Sequence, residues 1–199
     1  MSSLVAAESI REFFKGLLGQ VLSQHRVEIA EPTEFYLVNL LSEFLFADNL
    51  FTEEADGRRE ETPLAMLYAR ALQQERTERI RTLRKLGDVS LYKAGFFPQA
   101  LRERSAVGPD YYIQMGGAAY AQVADLAPAG GFASVYRELC RKFRAVVEVL
   151  EEISARGMVA NGPQGALKVY ETWVRTGSDR LEKVLVDAGM VVPKPGPVH

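Results

Sequence analysis

The sequence predicts an all-α, single-domain bundle of about seven or eight helices with a buried central second helix. In most segments, apolar residues recur at the three- and four-residue spacing of amphipathic helices, and strand-like alternation is nearly absent. Prolines and glycines separate these segments. A chain of 199 residues is long enough for one well-filled core and short for two, so we expect one helical domain over residues 1–190.

Two helices are predicted in the first quarter of the chain. The first follows a capping serine, Ser2 or Ser3, and keeps its helical apolar spacing as far as Leu22. The second begins near Pro32, a residue favoured in the first helical turn, and continues to about Ala47. Its helical wheel is apolar nearly all round, so this helix should be central and buried.

The third predicted helix begins at Pro63, after a charged segment over residues 52–62 that is typical of a solvated loop. It is expected to continue to Leu86, where Gly87 interrupts it, with a short continuation that ends at Gly95. A long helix with a glycine interruption is therefore expected here.

The second half of the chain predicts further helices that glycines and prolines separate. The expected helices cover residues 98–104, 110–126, 132–156, 164–175 and 178–188. The last residues, 191–199, contain three prolines and are expected to form a flexible tail.

Composition and charge argue against several classes of function. The formal net charge of −2 gives no electrostatic argument for nucleic-acid binding. No window holds the roughly 18 uninterrupted apolar residues that a membrane helix needs, and residues 1–20 lack the apolar core of a secretory signal. The single cysteine, Cys140, excludes an internal disulfide and fits a reducing compartment, so a cytoplasmic location is expected.

The sequence lacks the residues that common catalytic motifs require. With His25 and His199 as its two histidines, the chain has neither the paired Glu-x-x-His motifs of dinuclear carboxylate bundles nor the histidine pair of zinc proteases. A Walker loop, a dinucleotide-binding glycine motif after a strand and a Gly-x-Ser-x-Gly motif are also missing. We therefore predict no metal site, and we interpret Cys140 as a packed thiol.

Charged and polar residues interrupt the apolar faces of the second and third helices. Glu75 and Arg79 fall near the centre of the apolar face of the third helix and form a candidate buried ion pair. Asn39 and Glu43, one turn apart on the second helix, also require partners. Two interpretations are open: these side chains form a structural network between the helices, or they line a ligand-binding or catalytic pocket.

Aromatic and small residues concentrate in the middle of the chain. Tyr111 and Tyr112 could complete a pocket with the polar groups, because aromatic rings beside small residues suit a flat ligand. The same pattern is typical of helix crossings and subunit contacts. The candidate interface residues are Phe96, Phe97, Gly116, Gly117 and Tyr120.

Three short features of the chain can be compared with a known family. They are His25 toward the end of the first helix, the sequence Phe97-Pro98-x-x-Leu101, and the glycine-containing segment from Tyr112 to Gly117. Together they loosely resemble the haem oxygenases, all-helical proteins of similar length. The resemblance implies that His25 ligates haem iron and that the glycine-rich helix covers the haem. The competing interpretation is an ordinary histidine near a helix end, where the helix dipole favours a cation.

The function that these observations favour is a helical interaction or scaffolding protein, without a cofactor, that binds a protein partner or associates with itself. The alternative is a small-molecule-binding protein or enzyme with a polar pocket in its helical core, and a haem-binding protein is the named case. The two differ in geometry. A ligand site requires polar groups that open onto a cavity of about 300 Å³ or more, whereas a structural network closes on itself.

Overall fold

A computed structural model of the chain describes residues 2–44, 52–53, 59–60, 63–104, 107–128 and 130–191. The described residues form nine helices, which confirms the all-α fold class. The first four helices are α1 (Ser2–His25), α2 (Glu31–Phe44), α3 (Leu64–Leu72) and α4 (Arg76–Phe96). The others are α5 (Pro98–Arg104), α6 (Pro109–Leu126), α7 (Gly131–Ala160), α8 (Pro163–Thr176) and α9 (Asp179–Asp187). Two two-residue strands, β1 (Thr52–Glu53) and β2 (Arg59–Glu60), pair in antiparallel fashion.

The second helix is buried along one side. The side chains of Leu37, Leu40 and Leu41 are nearly inaccessible to solvent and belong to the core. Phe35, in contrast, is 68% exposed. The helix therefore has one open face, although its composition predicts burial nearly all round. This open face positions the candidate site.

The third predicted helix is two helices. α3 ends at Leu72, residues 73–75 separate the two helices, and α4 continues without interruption through Gly87. Glu75 stands at the N-cap of α4 and is exposed, so the prediction of a fully buried Glu75–Arg79 ion pair is wrong. The break turns the Glu75 carboxylate to solvent, which avoids the cost of burying a charge.

α4 and α6 pack closely because two glycines face bulky neighbours. A Cβ atom on Gly87 would lie 2.4 Å from the ring of Tyr120. A Cβ atom on Gly116 would lie 2.3 Å from the ring of Phe143 and 2.7 Å from Cβ of Ser90. These distances are far shorter than van der Waals contact, so both positions require a residue without a side chain.

This packing corrects part of the predicted interface. Tyr120 is fully buried and Gly116 is buried too, so both pack within the chain and cannot contact a second copy. The predicted face brings α4, α6 and α7 of one chain together instead. Phe97 is 44% exposed. Self-association through the remaining candidates stays a prediction.

The chain divides into two compact units, Met1–Val149 and Leu150–His199. The second unit has a small apolar core of its own. Trp173 of α8 belongs to this core together with Val184 and Leu185 of α9. All three side chains are buried.

Three further expectations concern the membrane, the domain and the tail. None of the described helices combines the length and the apolar character that crossing a membrane requires. The single domain over residues 1–190 stays a prediction. Apart from Val191, the predicted tail lies outside the described residues, as does most of the charged segment at 52–62.

The close crossing of α4 and α6 predicts opposite effects for two neighbouring substitutions. Gly116→Ala should lower the free energy of unfolding by about 1 to 3 kcal/mol, because the new methyl group overlaps Ser90 and Phe143. Gly117→Ala is the matched control, since its Cβ would lie at an ordinary 3.9 Å from Phe143. This control should gain about 0.5 kcal/mol from better helix propensity. Denaturant titration measures both, and equal effects would contradict the close packing.

Candidate functional site

A cavity of about 410 Å³ lies at the open face of α2, beside α4 and the start of α7. We call it the α2–α4–α7 pocket. Its apolar wall is formed by Pro32, Phe35, Leu40, Phe132 and Val135. Its polar wall is formed by Tyr36, Asn39, Glu43, Arg84 and Asp88. Apolar walls with a few convergent polar groups, at this volume, are typical of small-molecule sites.

Asp88 of α4 is held by tyrosines from two other helices. The hydroxyl of Tyr120, from α6, donates a hydrogen bond of 2.7 Å to Asp88 Oδ1. The hydroxyl of Tyr36, from α2, donates to the same oxygen. The Asp88 side chain is 16% exposed. Hydrogen bonds to a carboxylate are stronger than those between neutral groups, so one side chain ties three helices together.

Tyr136 of α7 packs against both of these tyrosines. Its ring centroid lies 5.4 Å from that of Tyr36 and 5.5 Å from that of Tyr120. The rings of Tyr36 and Tyr136 meet at 79°, an edge-to-face arrangement that favours aromatic contact. We call Asp88 and the three tyrosines the tyrosine–aspartate cluster. It joins α2, α4, α6 and α7 at the polar wall of the pocket.

The cluster has unusual acid–base properties. Burial raises the pKa of Asp88 from 3.8 to about 6, although the hydrogen bonds from Tyr36 and Tyr120 and the charge of Arg84 lower it. The charge of Glu43 also raises this pKa. Burial is the main cause that raises the pKa of Tyr36 and of Tyr120 well above the ordinary value of 10. Asp88 raises both pKa values further, whereas the hydrogen bond with Tyr36 lowers that of Tyr120. Asp88 therefore titrates near neutral pH, while both tyrosines keep their protons.

The second oxygen of Asp88 is less completely bonded. Oδ2 faces Nε of Arg84 at 3.8 Å, which is within the range of an ion pair and too long for a hydrogen bond. In the part of the chain that the structure describes, Oδ2 accepts no hydrogen bond. The Arg84 side chain is 56% exposed, so water weakens the pair. The polar wall thus includes a carboxylate oxygen with acceptor capacity.

A second carboxylate anchors the start of α2 to α7. Glu138 Oε2 accepts hydrogen bonds from the Ala30 N–H at 3.0 Å and from the Thr33 hydroxyl at 2.7 Å. Ala30 directly precedes α2, so this carboxylate lies at the helix N-terminus, where the dipole favours negative charge. Lys142 donates to Glu138 Oε1 at 3.0 Å and to the carbonyl of Glu28. These bonds fix the helix that carries most of the pocket lining.

The structure brings two of the predicted site residues into the pocket and places the others elsewhere. Asn39 and Glu43 line the pocket. Glu75 is exposed at the N-cap of α4. Arg79 approaches α6 instead, where its Nη2 lies 3.4 Å from Oε1 of Gln122. Asn39 and Glu43 therefore line a cavity with partners other than Glu75 and Arg79, and ligand binding by these residues stays a prediction.

The predicted aromatic residues contact rings on their own helices, and Tyr112 also contacts α4. Tyr111 and Tyr112 meet edge to face with centroids 5.8 Å apart, and Tyr112 is buried. Lys93 Nζ lies 5.9 Å from the centroid of the Tyr112 ring. Phe96 stacks on Tyr92 at 4.6 Å. Neither Tyr111 nor Tyr112 lines the α2–α4–α7 pocket.

The residues do not fit the haem site that the resemblance implies. The ring of Phe143 and Cβ of Ser90 occupy the surface of Gly116, so a flat macrocycle cannot lie against this glycine. His25 is the last residue of α1 and is partly buried. Across the described ranges, no group of three or more His, Cys, Asp or Glu side chains could hold a metal ion.

Sequence reasoning missed the residues at the centre of the site. Asp88 follows Gly87, where an interruption of the helix was expected, so it was not assigned to a helix face. Two signals were present. Arg84 and Asp88 are four residues apart, which is the spacing of an ion pair along a helix. Tyr36 lies one turn before Asn39, on the polar stripe of α2.

Comparisons of this chain with models of known protein families, with curated proteins and with solved structures find no match.

The raised pKa of Asp88 predicts a pH-dependent contribution to stability. The folded chain binds the Asp88 proton more tightly than the unfolded chain does. The free energy of unfolding should therefore fall as the pH rises from about 3 to about 7, by roughly 3 kcal/mol relative to the Asp88→Asn variant, which has no proton to lose there. Denaturant titrations of both chains across this pH range measure the difference. A difference that is constant, or that grows with pH, would show that the pKa of Asp88 is not raised.

The hydrogen bond from Tyr120 predicts a further change in the pKa of Asp88. Tyr120→Phe removes one donor to the carboxylate and keeps the ring, so the pKa of Asp88 should rise above about 6 by about one unit. The carboxyl carbon resonance of Asp88, followed by NMR during a pH titration, measures it. Tyr111→Phe is the control and should leave that titration unchanged. If Tyr120→Phe lowers the pKa, the proposed direction of the hydrogen bond is wrong.

Proposed function

We propose that this chain binds a small organic molecule in the α2–α4–α7 pocket. The observation that carries the proposal is a largely buried carboxylate with a pKa of about 6 at the wall of a cavity of about 410 Å³. Groups with strongly perturbed pKa values in concave sites concentrate at functional positions. Burial of Asp88 lowers the stability of its charged form, and a ligand that interacts with the carboxylate would offset that cost.

The apolar wall supports the same proposal. Phe35 is 68% exposed and Phe132 is 71% exposed, although both line the pocket. Large aromatic side chains stabilise a complex when a ligand covers them, because their apolar surface leaves water. A ligand with an apolar body of roughly indole size suits a cavity of this volume.

The interaction or scaffolding function, with self-association and a cytoplasmic location, stays a prediction from the sequence. Phe96 and Phe97 are the candidate residues that support it, since Phe97 remains 44% exposed. The pocket proposal is preferred because it explains a buried charge beside a cavity, which a protein contact through Phe97 would not explain.

A double substitution at the apolar wall tests the pocket. Indole binding, measured by ligand-observed NMR on the full chain, should weaken at least about tenfold in the Phe35→Ser, Phe132→Ser double variant, because the ligand loses aromatic surface on both sides. Phe13→Ser is the matched control, since Phe13 lies on α1 and is 64% exposed. This control should bind indole as the unchanged chain does.

The same experiment defines the contrary result. Indole binding that is equal in the double variant and in the unchanged chain would place the ligand outside the α2–α4–α7 pocket. Native mass spectrometry of the freshly purified chain provides a second readout, because a small molecule retained from the cell appears as added mass that the double variant should lose.

A further inference from the structure

We propose that the molecule held in the α2–α4–α7 pocket is an organic cation, a protonated amine on an apolar body, which donates hydrogen bonds to Asp88 Oδ2. This inference rests on the proposed function and adds the charge of the ligand to it. The apolar body would lie against Phe35 and Phe132, which line the same pocket.

The direction of the hydrogen bonds in the cluster favours a ligand that donates. The hydroxyls of Tyr36 and Tyr120 already donate hydrogen bonds to Asp88 Oδ1. A hydroxyl whose hydrogen is used in this way can form further hydrogen bonds only as an acceptor. Asp88 and Tyr36 both line the pocket, and the capacity that remains on the Asp88 carboxylate, at Oδ2, is that of an acceptor. A protonated amine has three donors and no acceptor, which matches this wall.

The position of Oδ2 indicates where the amine would bind. Its neighbour, Arg84 Nε, is 3.8 Å away, and the Arg84 side chain is 56% exposed. A small ammonium group can approach a carboxylate to about 2.8 Å, where a charge-assisted hydrogen bond forms. The closer cation would interact more strongly with Asp88 than Arg84 does, and Arg84 has a second partner in Tyr136.

The charges around the pocket favour a cation over an anion. Asp88 and Glu43 contribute two carboxylates to the wall, and Arg84 contributes one guanidinium. An anion bound to Arg84 would lie near the Asp88 carboxylate, and like charges at short range repel each other in a partly buried site. An ammonium group would be attracted by both carboxylates. The exposed rings of Phe35 and Phe132 add a further preference, because aromatic faces attract cations.

Three ligands with one indole body test the charge. The probes are tryptamine, which carries an ammonium group, tryptophol, which carries a hydroxyl, and indole-3-propionate, which carries a carboxylate. Isothermal titration of the unchanged chain near pH 7 should give tryptamine about tenfold tighter binding than tryptophol, the value of one charged hydrogen bond. Indole-3-propionate should bind most weakly. This comparison needs no variant, so it does not depend on how any substitution folds.

The outcomes separate this inference from the proposed function. Tryptophol or indole-3-propionate binding as tightly as tryptamine, with sensitivity to the Phe35→Ser, Phe132→Ser double substitution, would overturn the cation and keep the pocket. Binding of none of the three up to about 1 mM, a binding free energy weaker than about −4 kcal/mol, would overturn both. Preference for tryptamine that the double variant weakens supports both.

The dependence on Asp88 has two readouts. Asp88→Asn should weaken tryptamine binding about tenfold and change tryptophol binding less than about threefold. Asp125→Asn, at an exposed position on α6, is the matched control and should change the binding of neither ligand. In the unchanged chain, tryptamine affinity should fall about fivefold from about pH 7 to about pH 5, because a carboxyl with a pKa of about 6 becomes mostly protonated there. Tryptamine affinity that is flat with pH would overturn the role of Asp88.

Asp88 has several charged and titratable neighbours. The pKa of Asp88 is influenced by Tyr36 and Glu43 of α2, Arg84 of α4 and Tyr120 of α6. The Asp88 charge in turn raises the pKa of Tyr136 of α7. Glu43→Gln tests the contribution of the second carboxylate among them. Since Glu43 is exposed, this variant should keep its fold, and it should lower the pH at which tryptamine binding is lost.

Discussion

The burial of the Asp88 carboxylate is the constraint on which the first compact unit depends. Removing a charge from water costs several kcal/mol unless hydrogen bonds compensate it. Tyr36 and Tyr120 supply two such bonds to one oxygen, and they come from α2 and α6. Neither helix can slide along α4 without leaving a buried carboxylate unpaired. A polar cluster of this kind therefore fixes how the helices align, whereas apolar packing alone would tolerate several alignments.

The hydrogen bond from Tyr120 depends on the glycine that precedes Asp88. The ring of Tyr120 fills the space that a Cβ atom on Gly87 would occupy, so a larger residue there would push the ring, and with it the hydroxyl donor, away from the carboxylate. Gly116 of α6 has a similar role, because the ring of Phe143 occupies the space that a Cβ atom on Gly116 would need. Close packing and hydrogen bonding are thus two parts of one arrangement.

The two oxygens of Asp88 have different roles in this arrangement. Oδ1 accepts both tyrosine hydrogen bonds and serves the fold, whereas Oδ2 lies 3.8 Å from Nε of Arg84, another residue of the pocket wall. The tyrosines hold the carboxylate, and Glu138 holds the start of α2 through Ala30 and Thr33. A ligand would therefore meet acceptors that are already in position, which reduces the entropy lost on binding.

The sequence by itself determined the helical class, because helical spacing and capping are local properties. It predicted burial of α2 nearly all round, whereas the structure leaves the face with Phe35 open, because burial depends on which helices pack against it. It also identified Asn39 and Glu43, because a polar stripe on an apolar helix is visible in the helical wheel. It could not predict the break before α4, since the glutamines and glutamate at residues 73–75 are good helix formers. Only the tertiary structure brought Asp88 within hydrogen-bond distance of Tyr36 and Tyr120. These two hydrogen bonds join residues 52 and 32 positions apart in the chain, so they form only once the helices pack together.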